Sequence, residues 1–252
     1  MEKIIAIHSV PRSGSSWLYS IFNSHQNTIC SYQPLFSYAF KNRVNASSSK
    51  NDFSDFFQDI YESSDPFCNM TSNFHSNNNS SPLPDTIQKN NPTHLVFKHV
   101  THHTILHPLL DYFPNFHLVA LERDLQDAIN SQCNATRENL KDWKYGTDKN
   151  TSDELYFGVH KWLEVNKLFH HLHSLYPDRV HLVKYETLKQ SPHDITNNLF
   201  NVCHLSPSTT VNSFISKSIA TNDTYDYSVF RNHSQMKQTY NFELDSYIHS
   251  LK

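Results

Sequence analysis

The feature that most narrows the fold lies at the start of the chain. There the apolar run 4–7 and the residues up to Val10 lead into Pro11-Arg12-Ser13-Gly14-Ser15-Ser16-Trp17-Leu18. A strand, a tight turn and a helix in that order bring backbone N–H groups together at a helix N-terminus, where free donors and the helix dipole favour an anion. Only three glycines occur in 252 residues, and Gly14 sits at the tightest point of this turn, where a Cβ would obstruct a phosphate. Ser15 and Ser16 supply hydroxyl donors and caps at the helix start. Trp17, Leu18, Ile21 and Phe22 then form its buried face. The plainer alternative is an ordinary Ser-rich turn ahead of a helix.

The rest of the chain fits the architecture this opening demands. Apolar runs at 4–7, 95–97, 117–121 and 180–183 have the length of buried parallel strands, and the stretches between them carry helical spacing. Such alternation predicts an α/β fold of three layers, with a central parallel sheet covered by helices on both faces and a phosphate-loop nucleotide site. Leu155, Val159, Trp162, Leu163, Phe169 and Leu172 recur at helical intervals and predict a helix over about 153–175, with Pro177 beyond its end. Phe53, Phe56, Phe57 and Ile60 predict a shorter helix, and Ser191-Pro192 opens another that ends near Cys203. A length of 252 residues suits one domain over 1–252. Residues 69–92, rich in Asn, Ser and Pro, cannot build core and are expected as a surface excursion, either a passive insertion or a wall of an acceptor site.

A net charge of −3 provides no long-range attraction for nucleic acid or anionic lipid, so any anion must be held by a local site. Cys30, Cys68, Cys133 and Cys203 are widely spaced and form no CxxC or Cys/His zinc pattern, so no metal site is expected. No apolar run reaches membrane-spanning length, and residues 4–7 are too short for a signal peptide; a cytoplasmic setting is expected for a chain starting at Met1. The several N-x-S/T triplets follow from an Asn- and Ser-rich composition.

A nucleotide kinase would carry G-x-x-x-x-G-K-S/T, with a lysine on the β/γ phosphates and a hydroxyl on magnesium. Here the first glycine is missing and serine follows Gly14; the cation, Arg12, precedes the glycine. A guanidinium there can hold two oxygens and stabilise charge on a leaving phosphate. A second element reads Phe116-His117-Leu118-Val119-Ala120-Leu121-Glu122-Arg123-Asp124, a strand ending in a charged turn, with Ser131 eight positions after Arg123 on the following helix. Ligands in α/β sheets lie at the carboxyl ends of strands, where Arg123 and Ser131 can share one phosphate.

Taken together, PRSGSSWL, then L-x-R-D-x(6)-S, then Val183-Lys184-Tyr185-Glu186-Thr187-Leu188 resemble the sulfotransferases that use 3′-phosphoadenosine 5′-phosphosulfate (PAPS), nearest to the carbohydrate-type enzymes. The resemblance spans residues 4–205. It implies transfer of a sulfuryl group from PAPS to a hydroxyl of a small-molecule or carbohydrate acceptor, with release of 3′-phosphoadenosine 5′-phosphate (PAP) and no metal. By position it implies that Arg12, Ser13, Gly14, Ser15, Ser16 and Trp17 grip the 5′-phosphosulfate and that Arg123 and Ser131 grip the 3′-phosphate. It also implies that Tyr185 lies near the adenine. The late segment Tyr227-Ser228-Val229-Phe230-Arg231 resembles the aromatic–basic stretch that closes over the nucleotide, making Phe230 and Arg231 further ligands.

The proton acceptor is where the chain departs from the family. Carbohydrate sulfotransferases offer the glutamate of a Tyr-Glu-Pro-Leu stretch, and this chain has Tyr32-Gln33-Pro34-Leu35. An amide can orient a hydroxyl but cannot take its proton at neutral pH. Phe97-Lys98-His99-Val100-Thr101-His102-His103 resembles the Lys-x-His segment of cytosolic sulfotransferases, one residue out of register. That resemblance implies Lys98 at the sulfuryl group and His99 as base, with His102 second. The competing readings are a small nucleotide or nucleoside kinase and a catalytically weak PAPS- or PAP-binding protein.

Overall fold

Burial on both faces is what the central strands share. All six residues of β3 (His94–His99) are buried, as are five of six in β1 (Lys3–His8) and six of seven in β4 (Phe116–Glu122). Runs of this kind form the inside of parallel sheets, whose faces are both covered by the helices that connect the strands. The computed structural model describes residues 2–69, 88–133 and 154–222 and gives a five-stranded, all-parallel sheet in the order β2-β3-β1-β4-β5. The edge strands are β2 (Thr28–Tyr32) and β5 (Val180–Lys184). The four expected strands are present. The fifth, β2, was not expected, because Thr-Ile-Cys-Ser-Tyr shows neither an apolar run nor clean alternation; neighbours bury its polar Thr28 and Ser31.

Strand alternation divides the core in two. Ile4, Ala6, Leu95, Phe97, Leu118 and Ala120 point to one face. This face is covered by α2 (Lys50–Glu62), α3 (Leu106–Tyr112) and α5 (Glu154–Leu175), through Phe53, Phe56, Leu109, Val165 and Phe169 among others. Ile5, Ile7, Val96 and Val119 point to the other face, under α1 (Ser15–Asn23), α6 (Tyr185–Gln190), α7 (Pro192–Val202) and α8 (Thr209–Asn222). Each fully buried large apolar side chain contributes about 1.5–3 kcal/mol relative to exposure. The layering is therefore α/β/α, as the alternation predicts.

The expected helices lie close to their predicted bounds. Helix α2 begins in a capping box, with Ser49 Oγ accepting from the Asp52 N–H at 3.2 Å and Asp52 Oδ2 accepting from the Ser49 N–H at 2.8 Å. Its Phe53, Phe56, Phe57 and Ile60 all face the core. Pro192 opens α7, where its missing N–H costs nothing. Residues 70–87 of the expected excursion lie outside the described residues, as does the segment 227–231. At the excursion's near end, Lys89 Nζ donates to the Asn23 and His25 carbonyls at 2.6 and 3.1 Å, tying it to the end of α1. Among the described residues no helix is long and apolar enough to cross a membrane.

Candidate active site

Strand β1 has β3 on one side and β4 on the other, so the connections leaving β1 and β4 diverge and open a crevice at their carboxyl ends. The turn after β1 enters this crevice. Arg12 and Gly14 both have left-handed backbone, at φ 65° and 83°, while Ser13 between them does not. Alternation of this kind lines up consecutive N–H groups as a concave anion nest. Ser13 is fully buried and its Oγ has no hydrogen-bond partner, a polar atom left for a group outside the chain. The residues present therefore fit a bound phosphate.

Gly14 is required for a reason the sequence does not carry. A Cβ there would run into the ring of Tyr185, the first residue of α6. Strand β5 stops at Lys184, and the residues 185–190 are helical. The Tyr185 ring lies between Gly14 and Arg123, whose guanidinium carbon stands 4.7 Å from the ring centroid. Glu186 braces the same turn by accepting the Asp124 N–H at 3.0 Å.

Arg123 follows the last residue of β4, and α4 (Leu125–Cys133) carries Ser131. Arg123 Nη1 donates to the carbonyl of Arg12 at 2.7 Å, and Arg12 Nε donates to Ser131 Oγ at 3.3 Å. Arg12, Arg123 and Ser131 thus meet in one place, although 111 residues separate the two arginines. The Arg123 carbonyl accepts from Trp162 Nε1 at 2.9 Å, which holds the turn to α5. Arg123 Nε is buried without a partner. Trp17 turns away from this cluster; its Nε1 donates to Ser218 Oγ on α8 at 3.0 Å.

Beside the loop a second cluster surrounds Lys98, only 3% exposed. Lys98 on β3 and Tyr32 on β2 are register partners. Lys98 Nζ lies 3.4 Å from both Tyr32 Oη and Ser16 Oγ, and these two oxygens are 3.2 Å apart. The ammonium also stands 4.5 Å from the centroid of the Tyr32 ring. Gln33 is held at φ 44° with its N–H donating to the Lys98 carbonyl at 2.9 Å. Burial alone would push the Tyr32 phenol up, but the Lys98 charge and the polar groups of Ser16, Lys98 and Gln33 beside it bring it below the usual tyrosine value.

His99 is the next residue along β3 and therefore projects to the opposite face. It is fully buried beside Phe97, with neither ring nitrogen hydrogen-bonded. His8, His99, His102 and His103 form a cluster there, with ring centroids 5.6 Å apart for His8–His99, 5.2 Å for His8–His103 and 5.5 Å for His99–His102. Burial first, then the neighbouring histidines and Lys98, holds His99 well below the usual imidazole value. His102 sits in left-handed backbone at φ 58° and shares a 2.7 Å hydrogen bond with Thr101 Oγ1. The structure thus brings Lys98 to the phosphate loop and sets His99 behind the sheet. Tyr32, which sequence reasoning passed over, occupies the loop side. The signal that would have found it is strand parity, which needs β2 and its register with β3.

Among the described residues one further group, His117, His181 and Cys203, brings three metal-ligand atoms within 4.8 Å of one another. It lies at the other end of β4 and β5, where Lys3 Nζ stands 3.4 Å from His117 Nε2 and His117 Nδ1 pairs with His181 Nε2 at 3.1 Å. These two contacts satisfy both ring nitrogens of His117.

Fold and site together define an α/β protein with a Walker-lysine-free phosphate loop and two cationic elements converging on it. Residues 5–209 match the sequence profile described as the Sulfotransferase family, and the chain belongs to that family. Its fold is shared with the sulfotransferase domain from the curacin biosynthetic pathway, at 21% identity and a TM-score of 0.55, over 84% of this chain and 77% of that one. It is also shared with the sulfotransferase STF9 from Mycobacterium avium, at 13% identity and a TM-score of 0.51, over 87% of this chain and 68% of that one. No curated protein matches the sequence.

Proposed function

We propose that this protein transfers a sulfuryl group from PAPS to an acceptor hydroxyl by direct in-line displacement and releases PAP. The observation that carries this reading is the meeting of Arg12, Ser131 and Arg123 beside a nest with an unpartnered Ser13 hydroxyl. A second phosphate cluster next to the first suits a nucleotide phosphorylated at both ends. The transition state spreads charge over the sulfuryl and leaving oxygens, so fixed cations and N–H donors provide most of the stabilisation. Arg12 stands at the leaving phosphate and Lys98, beside Ser16, at the sulfuryl oxygens. Ser13, Gly14, Ser15 and Ser16 hold the 5′ end, and Tyr185, between Gly14 and Arg123, lies near the adenine.

The acceptor side favours a sugar hydroxyl. From Tyr32 a row of rings runs outward through Phe67 and Phe36, with centroid spacings of 6.0 and 6.1 Å, and Phe36 and Tyr38 are exposed. Exposed aromatic faces beside a polar centre suit the apolar faces of pyranose rings. Single-turnover incubation with radiolabelled PAPS and a panel of sugars and simple alcohols tests this. Label is expected on sugars first; label on no hydroxyl compound identifies an inert nucleotide binder instead. PAP should also raise the melting temperature more than ADP does, since linkage rewards the ligand that fits the native site. Equal shifts would remove the 3′-phosphate assignment.

A further inference from the structure

From the convergence of Lys98 Nζ and Ser16 Oγ on one phenol oxygen, we infer that Tyr32 is the group that accepts the proton from the attacking hydroxyl, filling the role left open by Gln33. The inference rests on the sulfuryl-transfer reading above. Ser16 Oγ at 3.2 Å and Lys98 Nζ at 3.4 Å both address Tyr32 Oη. Ser16 belongs to the phosphate loop, so this oxygen lies where the transferring group must pass.

The surroundings of Tyr32 bias it toward the phenolate. Lys98 faces it from β3, and Ser16 and Tyr19 face it from α1, the Tyr19 ring in an edge contact at 5.4 Å. Phe67 covers the outer side, and the backbone N–H of Tyr32 donates to the Cys68 carbonyl at 2.7 Å. Among these neighbours Lys98 is the cation. Tyr19 is fully buried and stays neutral, because burial raises it far above the usual tyrosine value. A phenolate paired with an ammonium can serve as a general base. Gln33 fits the same scheme, since its amide can donate to the phenolate where the family's glutamate would compete with it.

The step balances as follows. The acceptor oxygen forms its bond to sulfur while the bond between sulfur and the bridging phosphate oxygen breaks. The electron pair of that bond leaves with the phosphate, next to Arg12. The acceptor proton passes to Tyr32 Oη and is released to solvent when the product departs.

The experiment compares the intact chain with Tyr32→Phe and Lys98→Met. Three readouts apply: PAP binding by calorimetry, tyrosinate absorbance against pH, and transfer of labelled sulfuryl to the best sugar acceptor. The unsubstituted protein should show one tyrosine ionising before the rest. That step should vanish in Tyr32→Phe and move to higher pH in Lys98→Met. Tyr32→Phe should bind PAP within about twofold of the parent, while its transfer rate falls by about 100-fold or more. The pH profile of transfer should rise with the early tyrosine ionisation in the unsubstituted protein. Transfer retained by Tyr32→Phe, or an early tyrosinate that survives the substitution, overturns the role of Tyr32 and leaves sulfuryl transfer standing. Absence of transfer by the unsubstituted chain, with its early tyrosinate present, overturns the sulfuryl-transfer reading itself and the base assignment with it.

Discussion

The side chain of Arg123 donates to the main-chain carbonyl of Arg12 at 2.7 Å, so the turn after β4 is fastened directly to the phosphate loop after β1. This bond couples the two halves of the proposed nucleotide site. It also orients Arg123, whose guanidinium is backed by the Tyr185 ring.

Arg123→Ala should reduce PAP affinity by roughly 10–100-fold, the worth of a charge-assisted contact, and leave AMP affinity nearly unchanged. Calorimetry with the two nucleotides checks this. An unchanged preference for PAP would make Arg123 a fastener of the loop and nothing more.

Arg12→Ala should act on rate more than on binding, because its guanidinium stabilises charge that develops only as the phosphate leaves. Turnover is expected to fall by about 100-fold or more, as for loss of an oxyanion donor, with a smaller change in nucleotide affinity. The reverse pattern in steady-state kinetics and calorimetry would limit Arg12 to binding.

Gly14→Ala should destabilise the protein by about 1–3 kcal/mol, through left-handed backbone and collision with Tyr185. Urea unfolding of Gly14→Ala, Tyr185→Ala and the double substitution separates the two causes. If the ring contact matters, the double variant is more stable than the sum of the single losses predicts. Strict additivity would leave backbone conformation as the sole reason for the glycine.

Acid should destabilise the fold well before its carboxylates titrate. His8, His99 and His103 are buried as neutral imidazoles, with burial as the first cause and His103 pushed down to about 3. The unfolded chain binds protons near the ordinary value of 6.5 while the folded chain does not, so stability is full above that pH and falls as pH drops toward the folded values. Each such histidine contributes a slope of up to about 1.4 kcal/mol per pH unit in that window. Urea midpoints measured between pH 7.5 and 5 should decline, and His103→Phe should flatten the decline. A pH-independent midpoint would show that these rings are not held neutral.

How much could be read before folding differs from residue to residue. The turn after β1, the place of Arg123 at the end of β4, and four of five strands were legible because each depends on chain-local geometry: an apolar run, a turn that needs glycine, a helix start. Strand β2 was not, since its polar Thr28 and Ser31 are buried by neighbours distant in sequence. Nor was the part Tyr185 plays, since it begins a helix whose first ring packs against Gly14, far away in sequence.

The amino-acid sequence alone thus determined the α/β layering and the strand–turn–helix opening, because binary patterning and local backbone chemistry need no partner to be recognised. Only the tertiary structure decided how the residues around Lys98 are shared between the two faces of the sheet. Adjacent positions on a strand point to opposite sides, so Lys98 turns to the phosphate loop and His99 to the buried histidine cluster. Which side chain stands across from Lys98 depends on the register of a neighbouring strand, and that register placed Tyr32 there.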